Sequence, residues 1–208
     1  MKVLVIDDNP IHQESARQTI NNHELTIVGT YDEAHLLING NYKTTPVKYD
    51  VVLSDLLMPA SAMTMGTEGM KYAGQEMPVG FALSLMAALR GTKFVAVVTD
   101  IGHHDHPASA MLDPFTSSCP SEFNDVGVSP RFVINGAKVG YYHAPMTDVE
   151  GTTCPNCRVC ECTERNACSP EQNCIICKGT GRDCFSCFGS GKLQGKDWSK
   201  VLDHITTA

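Results

Sequence analysis

The chain has 208 residues, 42% of them hydrophobic, and carries 16 Lys and Arg against 23 Asp and Glu, a formal net charge of −7. That length accommodates one medium domain with an apolar core plus a small module, and the acidic balance argues against non-specific attachment to nucleic acid or to an anionic membrane. No apolar run approaches the ~20 residues of a membrane-spanning helix, and the strand-like opening Val3-Leu4-Val5-Ile6 leaves no room for a signal peptide, so the expected location is the cytoplasm, where thiols stay reduced.

In chain order, Lys2–Ile6 is a short apolar strand that ends in Asp7-Asp8. Pro10 suits the first turn of a helix running to about Asn21. Leu25–Thr30 predicts a second strand, Asp32–Ile38 a helix, and Tyr49–Ser54 a third strand ending at Asp55. Phe81, Leu85, Ala88 and Leu89 recur at helical spacing, and Lys93–Thr99 is a fourth strand. The pair Asn135-Gly136 between apolar runs signals a hairpin, and Tyr141-Tyr142-His143 continues a fifth strand to Ala144-Pro145. Strands alternating with helices predict an α/β fold with a parallel sheet covered on both faces.

Two stretches interrupt this rhythm, at about 60–79 and 100–130. The first is rich in Met and Gly; Met58, Met63, Met65, Met70 and Met77 are expected to pack beneath a lid. The second carries His103, His104 and His106 around Asp105, read as a polar surface loop before a metal site, together with Cys119. At the far end, Trp198, Val201, Leu202 and Ile205 form one apolar helix face. Residues 195–206 are therefore expected to return to the sheet, so that the preceding segment is an insertion and not an appendage.

Three carboxylates stand at predicted strand ends: Asp7 and Asp8 after the first, Asp55 after the third. In a parallel sheet those ends converge, and clustered carboxylates suit a hard cation such as Mg2+. The cation would offset the repulsion among the acids and let one of them attack a phosphoryl group. Thr99, closing the fourth strand, could donate its hydroxyl to a phosphoryl oxygen. Metal-dependent phosphohydrolase chemistry is another use of the same acids.

These residues, in Val5-Ile6-Asp7-Asp8-Asn9, Asp55-Leu56-Leu57-Met58-Pro59 and Val97-Val98-Thr99, resemble the receiver domain of two-component response regulators, as do Gly136-Ala137, Tyr141-Tyr142 and Pro145. The resemblance covers residues 1–59, 80–99 and 131–145 plus the closing helix. It implies a flavodoxin-like fold with a five-stranded parallel sheet over 1–145 and 195–208. It implies Asp55 as phospho-acceptor, Mg2+ held by Asp7, Asp8, Asp55 and the Leu57 carbonyl, Thr99 and Tyr141 as switch residues, and a histidine kinase or phosphotransfer protein as partner. Catalysis beyond self-catalysed phosphoryl acceptance and release is not implied. The chain departs from the family at two positions. Ala144 stands where the family has a lysine, for which Lys138 or His143 are the candidate substitutes, and Asp100 follows Thr99 where a small residue is usual.

Residues 146–194 hold nine of the ten cysteines: Cys154, Cys157, Cys160, Cys162, Cys168, Cys174, Cys177, Cys184 and Cys187. In a reducing compartment, clustered C-x-x-C pairs read as zinc ligands or, less often, an iron–sulfur site. Cys174–Gly181 and Cys184–Gly191 each have the form C-x-x-C-x-G-x-G, which is similar to the zinc-binding repeat of DnaJ-type cochaperones. That resemblance implies one or two zinc ions: one on Cys154, Cys157, Cys184 and Cys187, a second on Cys174 and Cys177 with two of Cys160, Cys162 and Cys168. The segment carries no basic excess, so a protein partner fits it better than nucleic acid. The expected function is a phosphorelay receiver signalling through protein contacts of this zinc module. The alternative is a non-phosphorylated pseudo-receiver acting as a constitutive, zinc-stabilised adaptor.

Overall fold

The computed structural model describes residues 1–61, 63, 66–102, 104–112, 132–155 and 190–207. The elements in order are β1 (Lys2–Ile6), α1 (Pro10–Thr19), β2 (Glu24–Val28), α2 (Tyr31–Asn39), β3 (Val51–Asp55), β4 (Met58–Pro59), a 3-10 turn (Gly69–Tyr72) and β5 (Glu76–Met77). Then come α3 (Val79–Leu89), β6 (Phe94–Thr99), α4 (Pro107–Ala110), β7 (Phe132–Ile134), β8 (Ala137–His143), β9 (Met146–Asp148), β10 (Gln194–Lys196) and α5 (Trp198–Thr207). No helix among the described residues is long and apolar enough to cross a membrane.

The central sheet has the order β2-β1-β3-β6-β8-β7. Its first five strands run parallel, as the sequence predicts. The sixth, β7, is antiparallel: the Asn135-Gly136 turn folds it back along β8 in the hairpin the sequence predicts, adding an edge to the five expected strands. Both residues of that turn have positive φ, 52° and 81°, the geometry for which Asn-Gly is suited.

Side chains alternate across the strands, so each strand feeds two cores. Val3, Val5, Val51, Leu53, Ala96 and Val98 face α1 and α5, where they meet Ala16, Trp198, Val201, Leu202 and Ile205. Leu4, Ile6, Val52, Val95 and Val139 face α2 and α3, against Ala34, Ile38, Leu83, Ala87 and Ala88. Burial on both faces is why β1, β3 and β6 read as continuous apolar runs and not as alternating ones.

The closing helix α5 completes the first of these cores. Trp198 is fully buried, and its indole nitrogen donates to the His12 carbonyl at 3.0 Å. The chain leaves the sheet at Pro145 and returns at Asp197, whose amide donates to the Pro145 carbonyl at 2.6 Å. Between them β9 and β10 pair antiparallel, Met146 opposite Lys196 and Asp148 opposite Gln194. The pairing continues outward through Val149 to Leu193 at 2.9 Å and Cys154 to Gly191 at 2.8 Å. Cys154 is buried in this neck. Cys157, Cys160, Cys162, Cys168, Cys174, Cys177, Cys184 and Cys187 lie outside the described residues, as do Cys119 and His103.

The Met-rich stretch differs from expectation. Met58 is buried, but Met63, Met70 and Met77 are exposed, because β4 and β5 form a small hairpin that holds this segment outside the core. Met65 lies outside the described residues.

If α5 is structurally part of the sheet domain, Trp198→Ala should lower the unfolding free energy by about 3–5 kcal/mol, measured by denaturant titration followed by circular dichroism. A loss near zero would show that the helix does not belong to this core.

Candidate functional site

The strand order places a topological switch between β1 and β3: the chain runs from β1 outward to β2, then returns to the other side of β1 as β3. Crevices at the carboxyl ends of such strands are the usual ligand sites of open α/β sheets. Asp7 follows β1 directly and Asp55 is the last residue of β3. Asp7 is wholly buried and Asp55 nearly so, while Asp8 is partly exposed. One carboxylate oxygen from each of Asp7, Asp8 and Asp55 lies within 4.8 Å of the others. Opposite ligands of Mg2+ stand about 4.2 Å apart, so this all-oxygen set fits a hard divalent cation with little adjustment.

Local structure holds these acids still. Asn9 caps α1 by accepting from the Ile11 amide at 2.9 Å, and its own amide donates to Asp7 Oδ1 at 2.9 Å. Asp55 Oδ1 accepts from the Leu56 amide at 2.8 Å. The first turn of α3 presses against the same strand end. A Cβ on Gly80 would fall 1.8 Å from the Asp55 carbonyl oxygen, so only glycine allows that approach.

The group that sequence reasoning missed is Lys196. It is completely buried, and its ammonium reaches Asp55 Oδ1 at 2.7 Å, Asp7 Oδ2 at 2.8 Å and Asp100 Oδ1 at 3.2 Å. Its position is set by β10, which lies against α1: the Ser15 hydroxyl donates to the Lys196 carbonyl at 2.6 Å. The adjacent Gly195 leaves no room for a side chain, since a Cβ there would stand 2.5 Å from Ser15 Cβ. Of the substitutes named from sequence, Lys138 does not reach the acids. Lys138 begins β8 opposite Phe94, at the other end of the sheet, and its ammonium lies 5.8 Å from that ring's centroid. His143 stands opposite Thr99 in the register. The available signal for Lys196 was its place in Gly195-Lys196-Asp197, at the entry to the helix that returns to the sheet.

His12 also escaped sequence reading, for it shows no motif. Its ring is buried; Nδ1 lies 3.3 Å from the Lys196 amide and Nε2 lies 3.3 Å from Asp100 Oδ2. The tautomer with its proton on Nε2 satisfies both contacts. Thr99 is buried at the end of β6, one residue past Val98, which pairs with Asp55. Its hydroxyl oxygen accepts from the Ile101 amide at 3.2 Å. Tyr141 is buried with Leu56, Leu57 and Val97. It stacks on Phe81 at 5.9 Å and meets Phe132 edge-on at 6.0 Å. His106 caps α4, its Nδ1 accepting from the Ala108 amide at 3.1 Å, which gives it a structural place.

Charge is out of balance here. Among the described residues, Asp7, Asp55 and Asp100 pair with the ammonium of Lys196, and Asp8 adds a fourth carboxylate beside Asp7 and Asp55. Burial, foremost, raises Asp55 to about 7; Lys196 pulls it down while Asp7 and Asp100 push it up. Burial and Asp7 also raise Asp8, against a lowering backbone hydrogen bond. Asp100 goes the other way: burial would raise it, but the His12 hydrogen bond and the Lys196 charge hold it well below the usual carboxylate range. Burial alone would lower Lys196, yet Asp7, Asp55 and Asp100 together keep its ammonium well above its ordinary value. One ammonium cannot satisfy every acid equally, and Asp55, deeper than Asp100, keeps its proton to higher pH than Asp100 does.

Two expectations follow. Lys196→Met leaves buried carboxylates without a counter-charge and should cost about 3–5 kcal/mol of stability, part of it regained on adding Mg2+; denaturant titration with and without the ion measures both. A cation that takes Asp55 must also displace its proton, so apparent Mg2+ affinity should climb from about pH 5 to about pH 8 and level off above the folded-state value of Asp55. Thermal-shift titrations across that range test the sign, and a profile that falls with pH would contradict it. In comparisons with family models, curated proteins and solved structures, no match to this chain is found.

Proposed function

We propose that this chain is a receiver-like signalling protein that accepts a phosphoryl group on Asp55 with Mg2+ bound by Asp7, Asp8, Asp55 and the Leu57 carbonyl. The observation that carries this reading is the ammonium of Lys196, 2.7 Å from Asp55 and 2.8 Å from Asp7 at the β1/β3 switch point. The resemblance to response regulator receivers lacks a lysine at Ala144, and Lys196 supplies one from the other side of the inserted segment. Five parallel strands in this order are also those of a flavodoxin-like receiver, with β7 as an added edge.

In this reading the Asp55 carboxylate attacks the phosphorus of a donor, forming an acyl phosphate while the leaving group departs with the electron pair of the broken bond. Among the described residues the hydrogen bonds to the Asp55 carboxylate fall on Oδ1, which leaves Oδ2 for the attack. The bound cation supplies charge neutralisation for the acids and the incoming phosphoryl oxygens. Lys196 pairs with one phosphoryl oxygen and the Thr99 hydroxyl donates to another. Tyr141, packed over Leu56 and Leu57, is the aromatic residue that would sense the change. The donor is a histidine kinase or phosphotransfer protein, and the cytoplasm is the matching compartment.

The cysteine-rich segment 146–194 is read as a module holding one or two Zn2+ ions that offers a surface to a protein partner. Its neck supports an output role, because β10 ends in the residue that reaches Asp55. A second reading, the constitutive adaptor, loses its first motive once Lys196 stands in for Ala144. It keeps one, the occupation of Lys196 by Asp100.

Incubation with Mg2+ and acetyl phosphate, followed by intact mass measurement, should show a single phosphoryl adduct that Asp55→Asn abolishes. Absence of any adduct, and of beryllofluoride binding, in protein that keeps its fold would overturn the acceptor reading and leave the adaptor.

A further inference from the structure

An ammonium has three N–H donors. Lys196 donates to Asp55 and Asp7 in hydrogen bonds, and Asp100 faces the same ammonium as a third, ion-pair partner at 3.2 Å. A phosphoryl group on Asp55 therefore finds three carboxylates already around the ammonium, and it competes with them for the charge-assisted contact. Asp55 is the acceptor itself and Asp7 belongs to the cation set. Asp100 makes the longest of the three contacts, 3.2 Å, and its side chain is 34% exposed where that of Asp7 is not exposed at all. It is the displaceable partner.

Asp100 is also tethered from behind. The Lys196 amide donates to His12 Nδ1, His12 Nε2 donates to Asp100 Oδ2, and Asp100 Oδ1 forms an ion pair with Lys196 Nζ at 3.2 Å. These contacts close a ring that grips both ends of one lysine. We infer that Asp100 is a positioning residue that competes with the phosphoryl group for Lys196, an internal stand-in latched by His12 and displaced on phosphorylation. This rests on the acceptor reading. It converts the residue that departs most from the receiver pattern into a device: Asp100 satisfies the buried lysine while the site is empty, and it weakens retention of the phosphoryl group.

The test uses the whole chain with Mg2+ and beryllofluoride. Its probe is the fluorescence of Trp198, the only tryptophan, whose ring lies 5.6 Å from the Lys196 ammonium. Asp100→Ala removes the competitor, and Asp100→Asn keeps its shape without its charge. Glu76→Gln is the control: Glu76 is close enough to raise Asp8 yet makes no contact with Lys196. Both Asp100 variants should bind beryllofluoride about tenfold or more tighter than the unaltered chain, while Glu76→Gln changes binding by no more than about twofold. Binding by the Asp100 variants alone would support the inference equally. Equal or weaker binding by the Asp100 variants, or the same gain in Glu76→Gln, would overturn the role of Asp100 and leave the acceptor reading intact. No binding by any of these proteins, with Mg2+ still raising their melting temperature, would overturn the acceptor reading and the latch with it.

Discussion

A single buried ammonium facing several carboxylates is the interaction on which the rest of this structure depends. Burying a charge is costly unless it is paired, and breaking such a pair is costlier still. Lys196 must therefore be delivered to one point, and the surrounding structure is arranged to deliver it. Ser15 holds its carbonyl, His12 meets its amide, Gly195 lets β10 lie against α1, and Trp198 anchors the helix that follows. The acids in turn are fixed by the ends of β1 and β3 and by the close seat of Gly80.

The two faces of the sheet do different work around that point. One core, closed by α1 and α5, carries the elements that position the lysine. The other, under α2 and α3, brings the first turn of α3 onto the Asp55 strand end. Beside them a smaller cluster links Leu56 and Leu57, immediately after Asp55, to Tyr141 on β8. A change at Asp55 thus has packed neighbours through which to act, and Phe81, exposed on α3, extends the aromatic stack to the surface.

Much of this architecture was legible in the sequence. The apolar runs ending in Asp7 and Asp55 marked strands buried on both faces, and the stripe Trp198, Val201, Leu202 and Ile205 marked a helix belonging to the sheet. Asn135-Gly136 announced its hairpin, although β7 as a sheet edge followed only from the register. Lys196 was hidden by distance along the chain, because motif reading seeks the lysine directly before Pro145. No spacing rule links a lysine to an aspartate 141 residues away. His12 was hidden for another reason: a histidine on a helix face has no signature until its partners are known. The surface methionines were misjudged because hydrophobicity alone does not show that β4 and β5 lift them off the core.

The pairing of β9 with β10 has a consequence for how the molecule is made. During synthesis the N-terminal part of the chain is extruded first. Asp7, Asp8 and Asp55 can thus gather at the sheet edge long before the residue that neutralises two of them exists. Lys196 lies 189 residues beyond Asp7, and contacts of such separation form late because the loop must close before they reward it. Until then the nascent sheet holds mutually repelling acids that lack their counter-charge. The zipped neck from Pro145 to Asp197 shortens the final search: once its strands pair, the long excursion counts as a hairpin, and the lysine arrives as the closing stitch.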